Sequence, residues 1–276
     1  MSIDRARTLV QGVAQLPVMP AQADELLRVA TDGDPEPRAL LAIIERDPVL
    51  AAMVLRLVNS ARYGLPRDIA ELRQAVVLLG VPELRTLALA ASMGALFSPG
   101  DGDLPDWDHA FSTACAARAL AEELAPAHTE AAFVAGMLHD IGHLVISSSL
   151  AEAFPVVELN AATGRDRLAL EDSVFGATHA ELGAALAEHW SIPAHLVDAV
   201  ADHHDPAPAL RPSLGTLVFA AEALCGTFLP PADGGDVDSL AVLESLGATR
   251  PEAMALRIRE GVIHHFNAND HALERS

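Results

Sequence analysis

Histidine and aspartate interrupt an apolar segment of the chain, GMLHDIGHLVI, which runs from Gly136 to Ile146. The interrupting residues are His139, Asp140 and His143. A buried ionised group costs several kcal/mol unless a partner compensates it. Imidazole and carboxylate groups are the ligands that zinc, manganese and iron sites use in proteins. The segment therefore predicts one part of a metal site.

Further residues of the same types lie on other predicted apolar helices. Neighbouring residues on a helix point about 100° apart, so His139 and Asp140 share one ion only if partners come from elsewhere. Taken alone, each histidine is more often a hydrogen-bonded core residue, and Glu222 could equally turn outward to solvent. Taken together, they predict a shared metal site. The candidate metal ligands are His109, His139, Asp140, His179, His203, His204 and Glu222.

Three more polar residues are candidates for supporting roles around this site. His143 lies four residues after His139, on the same helical face. We interpret it as an outer hydrogen-bonding residue, and the H-x-x-x-H spacing leaves ligation by its ring as the alternative. Asp202 and Asp205 flank the histidine pair at 203–204. They either orient those rings or are solvated.

The composition indicates a packed helical protein. Of its 276 residues 51% are hydrophobic and only 4% aromatic, which favours helices over sheets. The formal net charge of −20 repels phosphate backbones, so we expect no duplex nucleic acid as a partner. No apolar run reaches the roughly 20 residues of a membrane span, and the N-terminal segment lacks a signal-peptide core. We therefore expect a cytoplasmic protein with no membrane partner.

Helix start and stop signals recur along the chain, whereas the alternation typical of strands does not. Asp47 followed by Pro48 predicts a helix start, and Gly80 predicts a helix end. Five or six short helices are expected over the first 95 or so residues. Further on, the pattern predicts a single helix over 129–146 that carries the His-Asp pair.

Two further signals complete the predicted fold. Thr178 and Glu181 have the spacing of a capping box, which should start a helix at His179 that SIP at 191–193 ends. The segment FSPGDGDLPD is the best internal boundary, because it is rich in Gly, Pro and Asp. We predict an all-α fold, divided into an N-terminal helical lobe over 1–97, a helical bundle over 98–228, and a loop with a C-terminal helix over 229–276.

These motifs occur in the order of a known family, over about residues 14–226. The matching segments are LPVMP, DPVLAAMVLRLVNSARYGLP, ELRQAVVLLGVPELRTLAL, DWDHAFSTACAARALA, AAFVAGMLHDIGHLVI, FGATHAELGAALAEHWSIP and ADHHDP. The chain resembles the HDOD branch, the HD-related output domain of bacterial signalling proteins, within the HD superfamily of metal-dependent phosphohydrolases. The resemblance implies an N-terminal helical lobe packed on an HD-like helical bundle.

The resemblance also implies how the candidate ligands divide. In HD enzymes an upstream His, the His-Asp pair and a late Asp hold one ion. The corresponding residues are His109, His139, Asp140 and Glu222, the last with a longer side chain than Asp. Relatives with two ions add three histidines, and Asp140 would bridge the ions. These histidines are His179, His203 and His204. The expected cofactor is one or two divalent transition-metal ions, Fe, Mn or Zn.

Two departures from related enzymes bear on activity. HD-GYP phosphodiesterases carry Gly-Tyr-Pro after their histidine pair, whereas HHDPAPALRPS follows here and Tyr63 is the only tyrosine. Their HDIGK lysine is His143 in this chain, which removes a cation suited to substrate phosphate. Hydrolysis of cyclic di-GMP by that mechanism is therefore not expected.

Three functions remain open at this point. We favour a regulatory signal-transduction module that binds a signalling protein or a small phosphorylated ligand, without turnover and with homodimerisation left open. The alternative is an active metal-dependent phosphohydrolase or phosphodiesterase, because no ligand position is empty. The third is a purely structural helical protein whose core histidines are satisfied by hydrogen bonds.

Overall fold

The structure is a computed structural model that describes residues 2–13, 16, 18–31, 36–59, 69–93, 107–149, 157, 164–204, 212–227 and 237–273. Every regular element within these residues is helical, which confirms the predicted all-α class. Contacts divide the chain into two compact units, residues 1–18 with 96–258 and residues 19–95 with 259–276. The division at residues 97 and 228 stays a prediction.

The described helices follow the start and stop signals of the sequence. They are α1 Ser2–Gly12, α2 Ala21–Thr31, α3 Pro37–Glu45, α4 Pro48–Val58, α5 Leu72–Leu79, α6 Val81–Met93, α7 Trp107–Leu124, α8 Thr129–Leu138, α9 Gly142–Ser149, α10 Gly164–Phe175, α11 His179–His189, α12 Ala194–Asp202, α13 Leu214–Cys225, α14 Ser239–Ser245 and α15 Pro251–Leu273. Asp47 Oδ1 accepts a hydrogen bond from the backbone N of Leu50 at the start of α4. Gly80, with φ of 82°, separates α5 from α6.

Helix α7 organises the unit that holds the candidate ligands. It packs along α8 and α13. Small residues make the α7–α8 crossing close, since a Cβ at Gly136 would lie 2.5 Å from the Cα of Ala114. Phe111 and Phe133 meet edge-on across the same crossing, with ring centroids 6.0 Å apart. This packing brings His109 on α7 beside the residue that follows α8, His139.

The single helix predicted over 129–146 is wrong, because the backbone breaks after Leu138. Hydrogen bonds in the break span three residues, from Ile141 N to Leu138 O at 3.1 Å and from His143 N to Asp140 O at 3.0 Å. Helix α9 then begins at Gly142 and packs on α11. His139 and Asp140 thus lie in a tight turn between two helices rather than inside one helix.

The start of α11 is the predicted capping box. The hydroxyl of Thr178 accepts from the backbone N of Glu181 at 3.3 Å, and the Glu181 carboxylate accepts from the backbone N of Thr178 at 3.0 Å. The helix ends at His189, and α12 begins after Pro193, as the SIP segment predicts. The cap therefore fixes His179 as the first residue of α11.

Replacing Thr178 with alanine should lower the free energy of unfolding by about 1 kcal/mol, because the backbone N–H of Glu181 at the helix start loses its acceptor. Chemical denaturation followed by circular dichroism measures the change. Thr178→Ser keeps the capping oxygen and should retain nearly all of the stability. Equal stabilities of Thr178→Ala and the unsubstituted protein would contradict the role of this cap.

One helical stretch has the length and hydropathy of a membrane span. It covers Pro126–Ser148, 23 residues with a mean hydropathy of 1.3, although the sequence led us to expect no such run. However, 72% of that window is buried inside the structure, as is usual for a core helix. The stretch is apolar because α8 and α9 pack against other helices of the unit.

Candidate metal centre

The side chains of His109, His139 and Asp140 meet where α7 faces the turn after α8. We call these three residues cluster 1. The Nε2 atoms of His109 and His139 are 3.1 Å apart. Asp140 Oδ2 lies 3.5 Å from His109 Nε2 and 3.3 Å from His139 Nε2. The three side chains offer ligand atoms within 4.8 Å of one another. That separation suits a shared cation with bonds of about 2.0–2.2 Å.

The other oxygen of Asp140 faces a second group of histidines. We call Asp140 with His179, His203 and His204 cluster 2. Asp140 Oδ1 lies 3.4 Å from His179 Nε2 and 3.7 Å from His203 Nε2. His204 Nε2 lies 2.7 Å from His179 Nε2. These four side chains also offer ligand atoms within 4.8 Å of one another. Asp140 thus presents one oxygen to each cluster, the arrangement expected of a bridging carboxylate.

Hydrogen bonds fix the orientation of three of these rings. Nδ1 of His139 lies 2.7 Å from the carbonyl oxygen of Gly136, and Nδ1 of His203 lies 2.7 Å from that of Val200. A carbonyl oxygen only accepts hydrogen bonds, so each Nδ1 carries the donated proton. The third ring, His179, has its Nδ1 on a carboxylate 2.7 Å away. In all three rings Nε2 is the atom that faces Asp140.

A buried nitrogen tests whether the residues fit a cation. Among the described residues, His203 Nε2 has no hydrogen-bond partner although it is buried. A buried polar atom without a partner costs about 1–3 kcal/mol, and such atoms call for an explanation. A cation between this nitrogen and Asp140 would satisfy it. The residues present therefore fit one or two divalent ions.

Burial and neighbouring charges set the protonation of the centre. Burial lowers the pKa of both His203 and His204 well below the ordinary value, and neighbouring imidazoles add to the shift. These two rings are neutral at neutral pH and hold lone pairs ready for a cation. Burial also acts against a charged His139, but the Asp140 carboxylate outweighs it and raises the pKa of His139 to about 9. A cation at His139 therefore has to displace a proton.

The family model for the HDOD domain matches residues 16–206. This chain belongs to the HDOD family. The match covers helices α2 to α6 and the two clusters up to His204, so the resemblance seen in the sequence is confirmed.

Three similar proteins illustrate the range of similarity. A Geobacter sulfurreducens HDOD domain protein of unknown function has the same fold, with 24% identity, a TM-score of 0.81 and coverage of 98% of this chain and 97% of the other. A Shewanella amazonensis protein, named provisionally as a phosphohydrolase, is 30% identical with a TM-score of 0.74, over 93% of this chain and 96% of the other. An uncharacterised protein from Treponema pallidum is 27% identical over 221 residues, which are 78% of this chain and 43% of that protein. This HDOD chain thus spans less than half of that relative's length.

Glu222 and His143 lie at the edge of the HDOD clusters. Glu222 is buried on α13, and its Oε2 lies 3.7 Å from Nδ1 of His204, on the side of the ring away from His179. His143 Nε2 lies 4.0 Å from Asp140 Oδ1, and the His143 ring stacks on that of His179 with centroids 4.6 Å apart. Ligation by Glu222 and an outer role for His143 stay predictions.

The two remaining predicted residues flank the histidine pair. Asp202 is exposed and ends α12 directly before His203. Its proposed role in orienting the histidines stays a prediction. Asp205 lies outside the described residues.

The sequence analysis missed Glu171. This residue of α10 is fully buried, and its Oε2 lies 2.7 Å from Nδ1 of His179. The burial of its side chain would raise the pKa, but the neighbouring His179 lowers it below the ordinary value, so Glu171 is ionised at neutral pH. The available signal was a glutamate eight residues before His179 in LALEDSVFG. Nothing in the helical pattern marked this position as buried.

Proposed function

We propose that this HDOD chain is a regulatory signal-transduction module whose two clusters bind one or two divalent transition-metal ions. It acts by binding a signalling partner or a small phosphorylated ligand rather than by turnover. Iron, manganese and zinc are the candidate ions, since neutral imidazoles with a carboxylate suit all three.

The enclosure of the clusters supports binding over turnover. Side-chain exposure is 0–1% for His139, His179 and His203 and 13–18% for His109, Asp140 and His204. Structural metal sites are closed, whereas catalytic sites keep a coordination position open to substrate. Within the described residues, little of the donor set is accessible to a phosphoester. An enclosed centre suits an ion that stabilises one conformation of the module.

The residue at position 143 also supports a regulatory role. Burial and the neighbouring His179 lower the pKa of His143 to about 4, so its ring is neutral at neutral pH. A neutral ring does not replace the permanent cation that a lysine would direct at a substrate phosphate.

A metal-dependent phosphohydrolase is the second candidate. The observation that favours it is the placement of Asp140, whose two oxygens each face a separate set of histidines. Two bound cations at such a site would supply Lewis acidity toward a phosphoryl group. The name of the Shewanella amazonensis relative points to the same chemistry.

Metal analysis and an activity panel separate these two candidates. The protein, purified without chelators, should contain one or two transition-metal ions per chain by elemental analysis. With Mn or Fe added, it should release no product from a panel of nucleotides, cyclic dinucleotides and simple phosphoesters. Turnover that is lost in His139→Ala would establish the hydrolase instead. A purified protein that contains no metal, and whose stability does not change when metal is added, would defeat both candidates.

A further inference from the structure

The buried carboxylate of Glu171 makes two hydrogen bonds to a single residue. Its Oε2 accepts from the backbone N of His179 at 2.8 Å and lies 2.7 Å from Nδ1 of the same residue. The side chain of Glu171 is 0% exposed, and that of His179 is 1% exposed. Charge-assisted hydrogen bonds in such a dry environment are stronger than neutral ones.

These two bonds hold His179 at two points. The backbone bond fixes the first residue of α11 at a helix end, where N–H groups have no partner within the helix. The side-chain bond assigns the ring proton to Nδ1, because Oε2 already accepts the backbone N–H of His179 and so faces Nδ1 as an acceptor. Nε2 is then the ring nitrogen left to bind an ion, and it lies 3.4 Å from Asp140 Oδ1. Both the place and the tautomer of the ring are determined from outside the cluster.

We propose that Glu171 is the positioning residue that makes His179 competent as a metal ligand and so governs occupancy of cluster 2. This inference rests on the proposed metal-binding function. Partners of this kind orient ligating histidines and raise their basicity, and their loss usually costs 10–100-fold in metal affinity. In cluster 1, His139 is oriented instead by the carbonyl of Gly136.

A cation held by Glu171 itself is the competing explanation. Glu171 Oε1 is buried and has no hydrogen-bond partner among the described residues, and ligand atoms of His143, Glu171 and His179 lie within 4.8 Å of one another. However, Nδ1, which lies 2.7 Å from Glu171 Oε2, already carries the proton that it donates there. The positioning role uses the contacts as they stand.

Two variants test the proposal. Glu171→Gln keeps the size of the side chain and removes its charge. Asp172→Asn removes a carboxylate from the next residue of α10, which is exposed, and serves as the matched control. Circular dichroism and thermal unfolding verify that both variants fold. Competition titration with a chromophoric chelator then gives the stepwise Mn and Zn affinities of each protein.

Glu171→Gln should weaken at least one stepwise affinity by about 10–100-fold, whereas Asp172→Asn should match the unsubstituted protein. Equal affinities in all three proteins would overturn the positioning role. The loss of one whole ion from a total of three per chain would also overturn it, because that result assigns an ion to Glu171 itself.

A measurement on the metal-free protein separates this inference from the proposed function. Long-range ¹⁵N–¹H spectra report which ring nitrogen of His179 carries the proton, and the His179→Gln variant assigns the signal. We expect the Nδ1–H tautomer in the unsubstituted protein and a mixture of tautomers in Glu171→Gln. An Nε2–H tautomer in the unsubstituted protein overturns the proposal even if Glu171→Gln fails to fold. If no metal binds but the tautomer is fixed, the proposed function fails and the Glu171–His179 contact stands.

Discussion

Replacing Asp140 with asparagine should abolish the proposed metal binding. Asp140 contributes one oxygen to each cluster, and asparagine offers a single neutral oxygen in place of a charged bridge. We expect the affinity to fall by more than the 10–100-fold that outer partners cost. Elemental analysis measures the loss of ions. In the unsubstituted protein, added metal should also raise the unfolding temperature. At a free metal concentration one hundred times the dissociation constant, binding adds about 2.7 kcal/mol to the free energy of unfolding.

The matched control for this substitution is Asp198→Asn. Asp198 is an exposed carboxylate on α12, and its loss changes the net charge by the same amount. It should leave both metal content and the metal-dependent rise in unfolding temperature intact. Retention of a full complement of ions by Asp140→Asn would refute the bridging role of Asp140.

Replacing Gly142 with alanine should destabilise the fold by about 3 kcal/mol, the upper part of the range for overpacking. A Cβ at this position would lie 1.8 Å from the carbonyl oxygen of His179 and 2.8 Å from the backbone N of Gly183. Both obstacles are backbone atoms, so α9 and α11 have to move apart. Because His179 is one of the obstacles, the metal affinity should fall together with the free energy of unfolding measured in urea.

Gly261→Ala is the control for this prediction. Gly261 is exposed inside α15, and a Cβ there would meet nothing within 4 Å. Alanine in an exposed helix interior should stabilise the protein by up to about 1 kcal/mol. A Gly142→Ala protein as stable as the unsubstituted one would show that the α9–α11 contact adapts easily.

The sequence predicted the helices well where local chemistry determines them. The capping box at Thr178 and the helix end at Gly80 depend on one or two side chains, and both are present. The sequence also predicted that the six candidate ligand residues lie together, because imidazoles and carboxylates are rare on apolar faces and their order matched a family, whereas ligation by them stays a prediction. Local propensity did not predict the break after Leu138, since the segment reads as one continuous apolar helix.

The register of His109 and His139 shows how a small irregularity changes a site. Counted along two ideal helices, the two residues are about 6 Å out of step. The 3-10 helix Pro126–His128 leads directly into α8 and rises about 2 Å per residue, which supplies about 6 Å over its three residues.

The sequence analysis missed Glu171, the partner of His179, for a related reason. Glu171 becomes significant only through tertiary packing, and its neighbour Asp172 looks the same in the sequence.

The carboxylates around the two clusters limit which molecules an occupied centre attracts. Asp140 and Glu171 both have lowered pKa values and together carry two negative charges, which one divalent ion balances. A second ion makes the local charge positive. Counting the buried Glu222 as a third negative charge lowers the sum for one ion and the sum for two ions by one each, and only the sum for two ions stays positive. In a chain of net charge −20, only the doubly loaded state offers an anion a local attraction. Under the proposed metal-binding function, the number of ions bound would therefore decide whether the centre attracts phosphate-bearing molecules, and the supply of metal would be an input to the module.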